Sequence, residues 1–337
     1  MLPKEIPEQN ECGCEDLAKD LSLASFSEKL LGWYDQHKRD LPWRADRDPY
    51  RVWLSEIMLQ QTRVAAVIEH YRRFLAKFPT IQKLASAREA SVLAAWSGLG
   101  YYRRARMLHA AAKYVVKECG GTFPQTSAEL RALPGIGRYT AAAIASIAFN
   151  EPVAVVDGNV ERVIGRVQGK RLSSEELWRI ADQWIDRARP GDFNQAMMEL
   201  GATVCTPRGP QCLLCPVRDL CATRGELKDA VAVPAQRKRE IHFGLARRDN
   251  EVYLVQRSKE HSLMPGMWEL PEYKNENKGI KPLFSVRHSI TVTDYKVRVM
   301  ALEDPGTTAG RWVTASRLPS LPLTGLTRKI LRRVELM

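Results

Sequence analysis

Four cysteines fall within 17 residues as Cys205-x6-Cys212-x2-Cys215-x5-Cys221, and no other feature narrows the possible folds so far. Thiols packed this densely, at the end of a helical stretch, form a ligand set for one metal centre. Structural zinc sites usually bring two separate short cysteine pairs. Here a single CxxC lies between wider flanking spacings, which suits a cuboidal iron–sulfur cluster approached from several directions. The spacing alone leaves iron–sulfur and zinc both open. The first residues carry no basic-then-apolar leader, so a cytosol-like compartment is expected, and a disulfide framework is not.

The net charge of +12 is unevenly spread. Lys4 and Lys19 face six acids within the first 25 residues, so the remainder carries +16. Such an excess favours a polyanionic partner, because each neutralised phosphate releases counterions. The longest alanine-rich run, Thr140 to Phe149, is far shorter than the roughly 20 apolar residues of a membrane span. No membrane partner is expected.

The sequence divides into four stretches. Residues 1–24 are acidic, poor in large apolar groups and expected to be disordered, with Cys12 and Cys14 as free thiols. From Ser25 to Cys221 the pattern is helical. Ser25 and Glu28 have capping-box spacing, as do Thr126 and Glu129, and helices are expected over Val52–Arg63, Ala65–Ala76, Val92–Trp96, Ala105–Lys117, Ala128–Leu133, Tyr139–Phe149, Asn159–Val167, Ser174–Ala188 and Phe193–Val204. Residues 222–240 form a polar, basic linker. Beyond it, Ile241–Arg247, Val252–Gln256, Ile290–Val292 and Tyr295–Leu302 alternate as strands, and Leu321–Leu336 closes as a helix. The chain is therefore multi-domain, with an all-α domain followed by an α+β domain over 241–337.

Three segments carry candidate chemistry. Leu133-Pro134-Gly135-Ile136-Gly137 lies between two helices. Gly135 and Gly137 would let the backbone turn and offer N–H groups to a phosphate, although a plain helix–helix turn has the same form. Asp157 follows an apolar run and precedes Gly158 and Asn159. It fits a helix N-cap, a role compatible with that of a catalytic carboxylate. In Trp53-Leu54-Ser55-Glu56-Ile57-Met58-Leu59-Gln60-Gln61-Thr62, Glu56 shares a helical face with Val52 and Leu59. Apolar surroundings disfavour the charged form of a carboxyl group and suit it to general-acid work, although a surface glutamate at a helix edge has the same pattern. Trp43 and Arg44 lie upstream. Downstream, Gly98-Leu99-Gly100-Tyr101-Tyr102 with Arg103, Arg104 and Arg106 suits base stacking and phosphate clamping, and equally an ordinary loop with a solvated basic face.

Together these segments resemble the endonuclease III superfamily of helix–hairpin–helix DNA glycosylases, and within it the MutY-type adenine DNA glycosylases. The resemblance runs nearly continuously from Phe26 to Cys221, through LPWR, WLSEIMLQQT, GLGYYRRAR, LPGIGRYTA, VDGNVERV, FNQAMMELGA and the four cysteines. It implies a [4Fe–4S] cluster on Cys205, Cys212, Cys215 and Cys221. It implies that Glu56 protonates adenine at N7, and that Asp157 stabilises or attacks the oxocarbenium-like sugar. Tyr139 and Asn159 would orient these groups, Trp43, Arg44 and Gln195 would line the base pocket, and Gln61 and Tyr101 would wedge into the duplex. Gly135 and Gly137 would bind the DNA backbone.

Two positions refine the expectation. Lyase relatives carry a lysine two residues after the hairpin's last glycine. This chain has Tyr139 there, and a phenol forms no Schiff base, so a monofunctional glycosylase is implied. Past the cysteines, Gly266-Met267-Trp268-Glu269-Leu270-Pro271 and the strand pattern resemble the Nudix-like domain of MutY proteins, which reads 8-oxoguanine. The Nudix acidic box is missing, so no pyrophosphatase activity is implied. Where the family commonly reads Phe-Ser-His, the placement anchored on His288 gives Ile290-Thr291-Val292, with Thr291 keeping the hydroxyl. The implied partner is double-stranded DNA with adenine opposite 8-oxoguanine or guanine. It would be bound by a monomer in a bacterial cytoplasm, or in a nucleus or organelle if the source is eukaryotic. Two competing readings are an oxidised-pyrimidine or G:T-mismatch thymine glycosylase of the same superfamily, and a non-enzymatic iron–sulfur DNA-binding or redox-sensing protein.

Overall fold

The computed structural model describes residues 12–227, 237–258, 260–261, 263–273, 281–290, 293–306 and 309–337. Among them the chain forms two compact units that share its length unevenly: one comprises 12–53, 123–132 and 136–227, the other 54–122, 133–135 and the described residues from 237 onward. None of the described helices is long and apolar enough to cross a membrane.

The first unit is helical. It holds α1 (Cys12–His37), a 3-10 turn at Pro42–Arg44, the first turn of α2 (Pro49–Leu59), α7 (Ser127–Leu130), α8 (Arg138–Phe149), α9 (Gly158–Gln168), α10 (Ser174–Trp184) and α11 (Pro190–Thr203). Helix α11 is central and packs on α1, α8 and α9. Its closeness to α8 depends on Gly191, where a Cβ would lie 2.6 Å from the Ser146 carbonyl oxygen. Phe26 of α1 fills the space beside Trp184 and Phe193, at centroid distances of 4.6 and 6.4 Å.

Several helix boundaries depart from expectation, three of them for reasons the local residues explain. α1 begins at Cys12, inside the stretch whose composition suggests disorder, and runs through Ser25 without a break, so the Ser25–Glu28 capping box does not form. No proline or glycine interrupts the sequence between Cys14 and Gly32, and nothing stops the helix there. α10 ends at Trp184 rather than Ala188. The Asp186 carboxylate accepts the N–H groups of Ala188 (2.9 Å) and Arg189 (2.7 Å), which builds a turn instead of another helical one. The last helix, α12 (Gly325–Arg333), starts later than Leu321 because Thr324 caps it by accepting from the Thr327 N–H. The Thr126–Glu129 capping box does form.

The second unit joins α3 (Val64–Lys77), α4 (Ile81–Ala85), α5 (Glu89–Trp96) and α6 (Tyr102–Glu118) to the strand-bearing segment. That segment contains β1 (Arg237–Leu245), β2 (Arg247–Arg248), β3 (Glu251–Gln256), β4 (Trp268–Glu269), β5 (Phe284–Ile290), β6 (Thr293–Ala301), β7 (Gly310–Thr314) and α12. One sheet runs β1-β6-β5, with β1 parallel and β5 antiparallel to β6. In the other, β3 pairs antiparallel with β2, β4 and β7. Val252, Leu254, Val297, Val299, Leu323, Ile330 and Leu331 form the shared core. Two buried hydroxyls tie the helices to this segment: Ser97 Oγ and Tyr102 Oη donate to the Leu323 carbonyl at 2.8 and 3.0 Å. No strand occurs among the described residues before Arg237.

Candidate active site and cysteine loop

Glu56 lies on α2 and is buried, as are Val52, Leu54, Ser55, Ile57 and Met58 of the same helix. The helix is started by Pro49 and by Asp48, whose carboxylate accepts the Arg51 N–H at 3.0 Å. At the other end of α2, Gln61 adopts φ 55°, and in the loop before α6, Tyr101 adopts φ 47°. Both side chains are exposed. A left-handed conformation costs a non-glycine residue about 1–2 kcal/mol, so the surrounding structure has to hold both turns in place. Tyr101 and His288 line one cleft, together with Leu263, Met264 and Pro265. The half-buried His288 ring has its pKa lowered by burial and by nearby Lys329. Thr291 lies outside the described residues.

The hairpin glycines differ from one another. Gly135 adopts φ 75°, and a Cβ there would collide with Met107 at 2.6 Å. Gly137 has φ −90°, which any residue can adopt, and open space where a Cβ would be. It is the N-cap of α8, so a glycine there leaves the helix N-terminus open to an approaching anion.

Asp157 caps α9. Its Oδ1 accepts the N–H groups of Asn159 (2.9 Å) and Val160 (2.8 Å), and its Oδ2 accepts from Asn159 Nδ2 (2.9 Å). Asn159 is held in turn by Arg162, whose Nη2 donates to Asn159 Oδ1 (2.8 Å) and to the Gly201 carbonyl (2.7 Å). Gly201 is glycine because the α9 backbone passes over it, and a Cβ would lie 2.5 Å from Asn159 Cβ. Arg162 Nε also donates to the Cys205 carbonyl at 2.7 Å, so a single side chain links the Asp157 turn to the cysteine loop. The Tyr139 hydroxyl donates to Met198 Sδ at 3.2 Å.

Arg44 Nε donates to Gln195 Oε1 at 3.2 Å. What fixes Arg44 is Glu199, a buried carboxylate that spacing did not suggest. It accepts from Arg44 Nη2 at 2.8 Å and from Arg39 Nε and Nη2 at 2.5 and 2.9 Å. Burial pushes its pKa up, yet the paired arginines outweigh this and hold it below the usual glutamate range. A lowered folded pKa gives stability that is fully present above the unfolded value of about 4.3 and lost as pH falls through the folded value. Glu199→Ala should cost about 3 kcal/mol in urea unfolding at neutral pH, the low end for a buried pair because Arg39 is partly in solvent. A loss below about 0.5 kcal/mol would remove Glu199 as the anchor.

The four cysteines ring a small cleft that Arg166, Arg218 and Arg224 also line. Burial pushes the Cys215 thiol up to about 11, and the neighbouring Cys205, Cys221 and Cys212 add to the rise. Four thiolates so placed need a cationic centre to stay ionised together. Among the described residues no group of three His, Cys, Asp or Glu is arranged to hold a metal ion. Thiolates 2.3 Å from one zinc would stand within about 4 Å of each other, whereas a cluster spreads its ligands further apart. The buried Arg166 staples the loop, donating to Cys205 Sγ (3.3 Å) and to the carbonyls of Thr206 (2.7 Å) and Pro207 (3.0 Å).

Comparison with known proteins shows the family. Residues 54–186 match the HhH-GPD superfamily base excision DNA repair proteins. The adenine DNA glycosylase of Homo sapiens is 51% identical over 238 residues, covering 66% of this chain and 44% of the human protein. That of Buchnera aphidicola (strain Sg) is 32% identical, covering 77% of this chain and 78% of the relative. The chain belongs to the adenine DNA glycosylase family. It spans less than half the length of the human and mouse family members. Among solved structures, a thermostable thymine-DNA glycosylase aligns with a TM-score of 0.58 at 30% identity, over 61% of this chain and 98% of that one. An endonuclease III–DNA covalent intermediate aligns with a TM-score of 0.52 at 25% identity, over 59% of this chain and 93% of that one.

Within the matched stretch, Arg162 and Arg166 carry no individual signal in the sequence, and Arg104 stands out only as one of the arginines beside the Gly98–Tyr102 loop. Each turned out to be half-buried or buried and bonded to backbone carbonyls. Arg104 therefore does not join the phosphate-clamping face expected of it.

Proposed function

We propose that the chain hydrolyses the N-glycosidic bond of adenine mispaired with 8-oxoguanine or guanine in double-stranded DNA, as a monofunctional glycosylase. The observation that carries this reading is a pair of carboxyl groups in opposite settings. Glu56 is buried on α2, while Asp157 is half-buried and fixed by three N–H donors. Glu56 delivers a proton to N7 of the flipped adenine, which makes the base a leaving group. Asp157 supports the positive sugar that remains. Gln61 and Tyr101 fill the gap the adenine leaves, and Tyr139 supplies no amine for strand cleavage. The Nudix-like reading of the strand-bearing segment gives it the opposite base to read, through the loop after His288.

Single-turnover assays should compare duplexes with adenine opposite 8-oxoguanine, adenine opposite guanine, thymine opposite guanine, and thymine glycol opposite adenine. Fast adenine release from the first, with strand breaks only after alkali, is the expected result. Preference for thymine opposite guanine would favour a thymine-glycosylase reading, which the solved thymine-DNA glycosylase at 30% identity makes the relevant competitor.

Cys205, Cys212, Cys215 and Cys221 would hold a [4Fe–4S] cluster. Bound there, it supplies a rigid charged centre that shapes a loop carrying Arg208, Arg218 and Arg224. Purified protein should contain about four irons and four sulfides per chain, with broad visible absorbance; stoichiometric zinc without iron would refute the assignment.

A further inference from the structure

We propose that Arg104 is a positioning residue for base extrusion, whose single guanidinium fixes the two backbone turns that present Gln61 and Tyr101. This rests on reading those two side chains as duplex wedges.

Arg104 Nη1 shares its N–H groups among the carbonyls of Ile57 (2.7 Å), Met58 (3.1 Å) and Gln60 (2.6 Å). Nη2 donates to Thr62 Oγ1 and to the Leu99 carbonyl, both at 3.3 Å. Four of these five acceptors bracket Gln61 at the end of α2, where the last carbonyls lack helical partners and the helix dipole is negative. The fifth lies in the other turn, two residues before Tyr101. The face of the same guanidinium meets the Trp96 and Tyr101 rings, at 5.5 and 5.3 Å to their centroids. Trp96 Nε1 secures that turn further by donating to the Gly100 carbonyl at 3.1 Å.

Gln61 and Tyr101 are both in the left-handed region, a conformation neither would hold without support. Arg104 is the group that touches both turns. Only a planar fork can donate in two directions and stack on a ring at once. Lysine keeps the charge but offers a point donor that cannot span the two loops. A guanidinium committed in this way is not available to DNA phosphates.

The test uses the full chain and its Arg104→Lys, Gln61→Ala and Tyr101→Ala variants, with Arg104→Gln as a second variant should lysine prevent folding. Single-turnover adenine release is measured from a duplex with adenine opposite 8-oxoguanine, and from one with adenine opposite an abasic-site analogue, where the adenine is already unpaired. Arg104→Lys should slow release from the paired duplex tenfold or more, by about the unstacking contribution the wedges supply, and from the unpaired duplex about threefold or less. Combined with Tyr101→Ala, it should add little further. The salt dependence of DNA binding should stay unchanged. Equal slowing on both duplexes would overturn the proposal in favour of a general structural role. A fall of about one in the log–log salt slope would overturn it in favour of a phosphate contact. If the Gln61 and Tyr101 variants show the pairing-dependent loss and Arg104→Lys does not, positioning fails while the wedges stand. If the Gln61 and Tyr101 variants show no such loss, the wedge reading fails and takes the proposal with it.

Discussion

Glu56→Gln should lower the single-turnover rate of adenine release by about 10³–10⁴-fold, the upper part of the range for loss of a general acid. Glutamine has nearly the same shape and is neutral, so the buried Glu56 position should accept it with little change in thermal stability. DNA affinity should also persist, since the carboxyl group acts on the departing base rather than on the backbone. The measurement is the rate on adenine opposite 8-oxoguanine, read beside a melting curve and a binding isotherm. A variant that retains more than a tenth of the rate would take proton delivery away from Glu56. A non-enzymatic DNA-binding role predicts that outcome.

Asp157 is a harder case because, on the proposed mechanism, its carboxylate would serve two purposes. As the N-cap of α9 it satisfies two backbone N–H groups. Asparagine caps nearly as well as aspartate, while alanine loses about 1 kcal/mol. Asp157→Asn should therefore melt close to the parent, yet release adenine at least about 10³-fold more slowly, because the negative charge facing the sugar is gone. Asp157→Ala should lose both stability and rate. The comparison separates the two roles. If the asparagine variant stays within tenfold of the parent while the alanine variant fails, the residue matters for the helix end and not for the chemistry.

Much of this was legible along the chain because it is local. Helix α8, the Thr126–Glu129 box, the Asp157 cap and strands β1, β3 and β6 are each set by residues within a few positions of one another. The Glu199 network was hidden because its partners, Arg39 and Arg44, lie 160 and 155 residues away. The Gly201 approach to Asn159 and the reach of Arg162 to Cys205 depend on how α9 and α11 cross, which no spacing rule reports. Strand β4 is two residues long, too short for any alternation to register. The Ser25–Glu28 pattern misled because a capping sequence ends a helix only where the preceding residues refuse to be helical.

The path of the chain has a consequence for how the protein is made. Phe26 and Arg39 leave the ribosome well before their partners Trp184, Phe193 and Glu199, which come roughly 160 residues later. At about 5–20 residues per second, translation leaves the apolar face of α1 uncovered for roughly 10–30 s. During that interval Leu30, Leu31 and Tyr34, all buried in the finished fold, lack the α11 residues on which α1 packs, and the cysteine loop has not yet been made. Holding factors that bind exposed apolar helices should therefore matter more for the yield of this chain than for one whose helices each pack on the next.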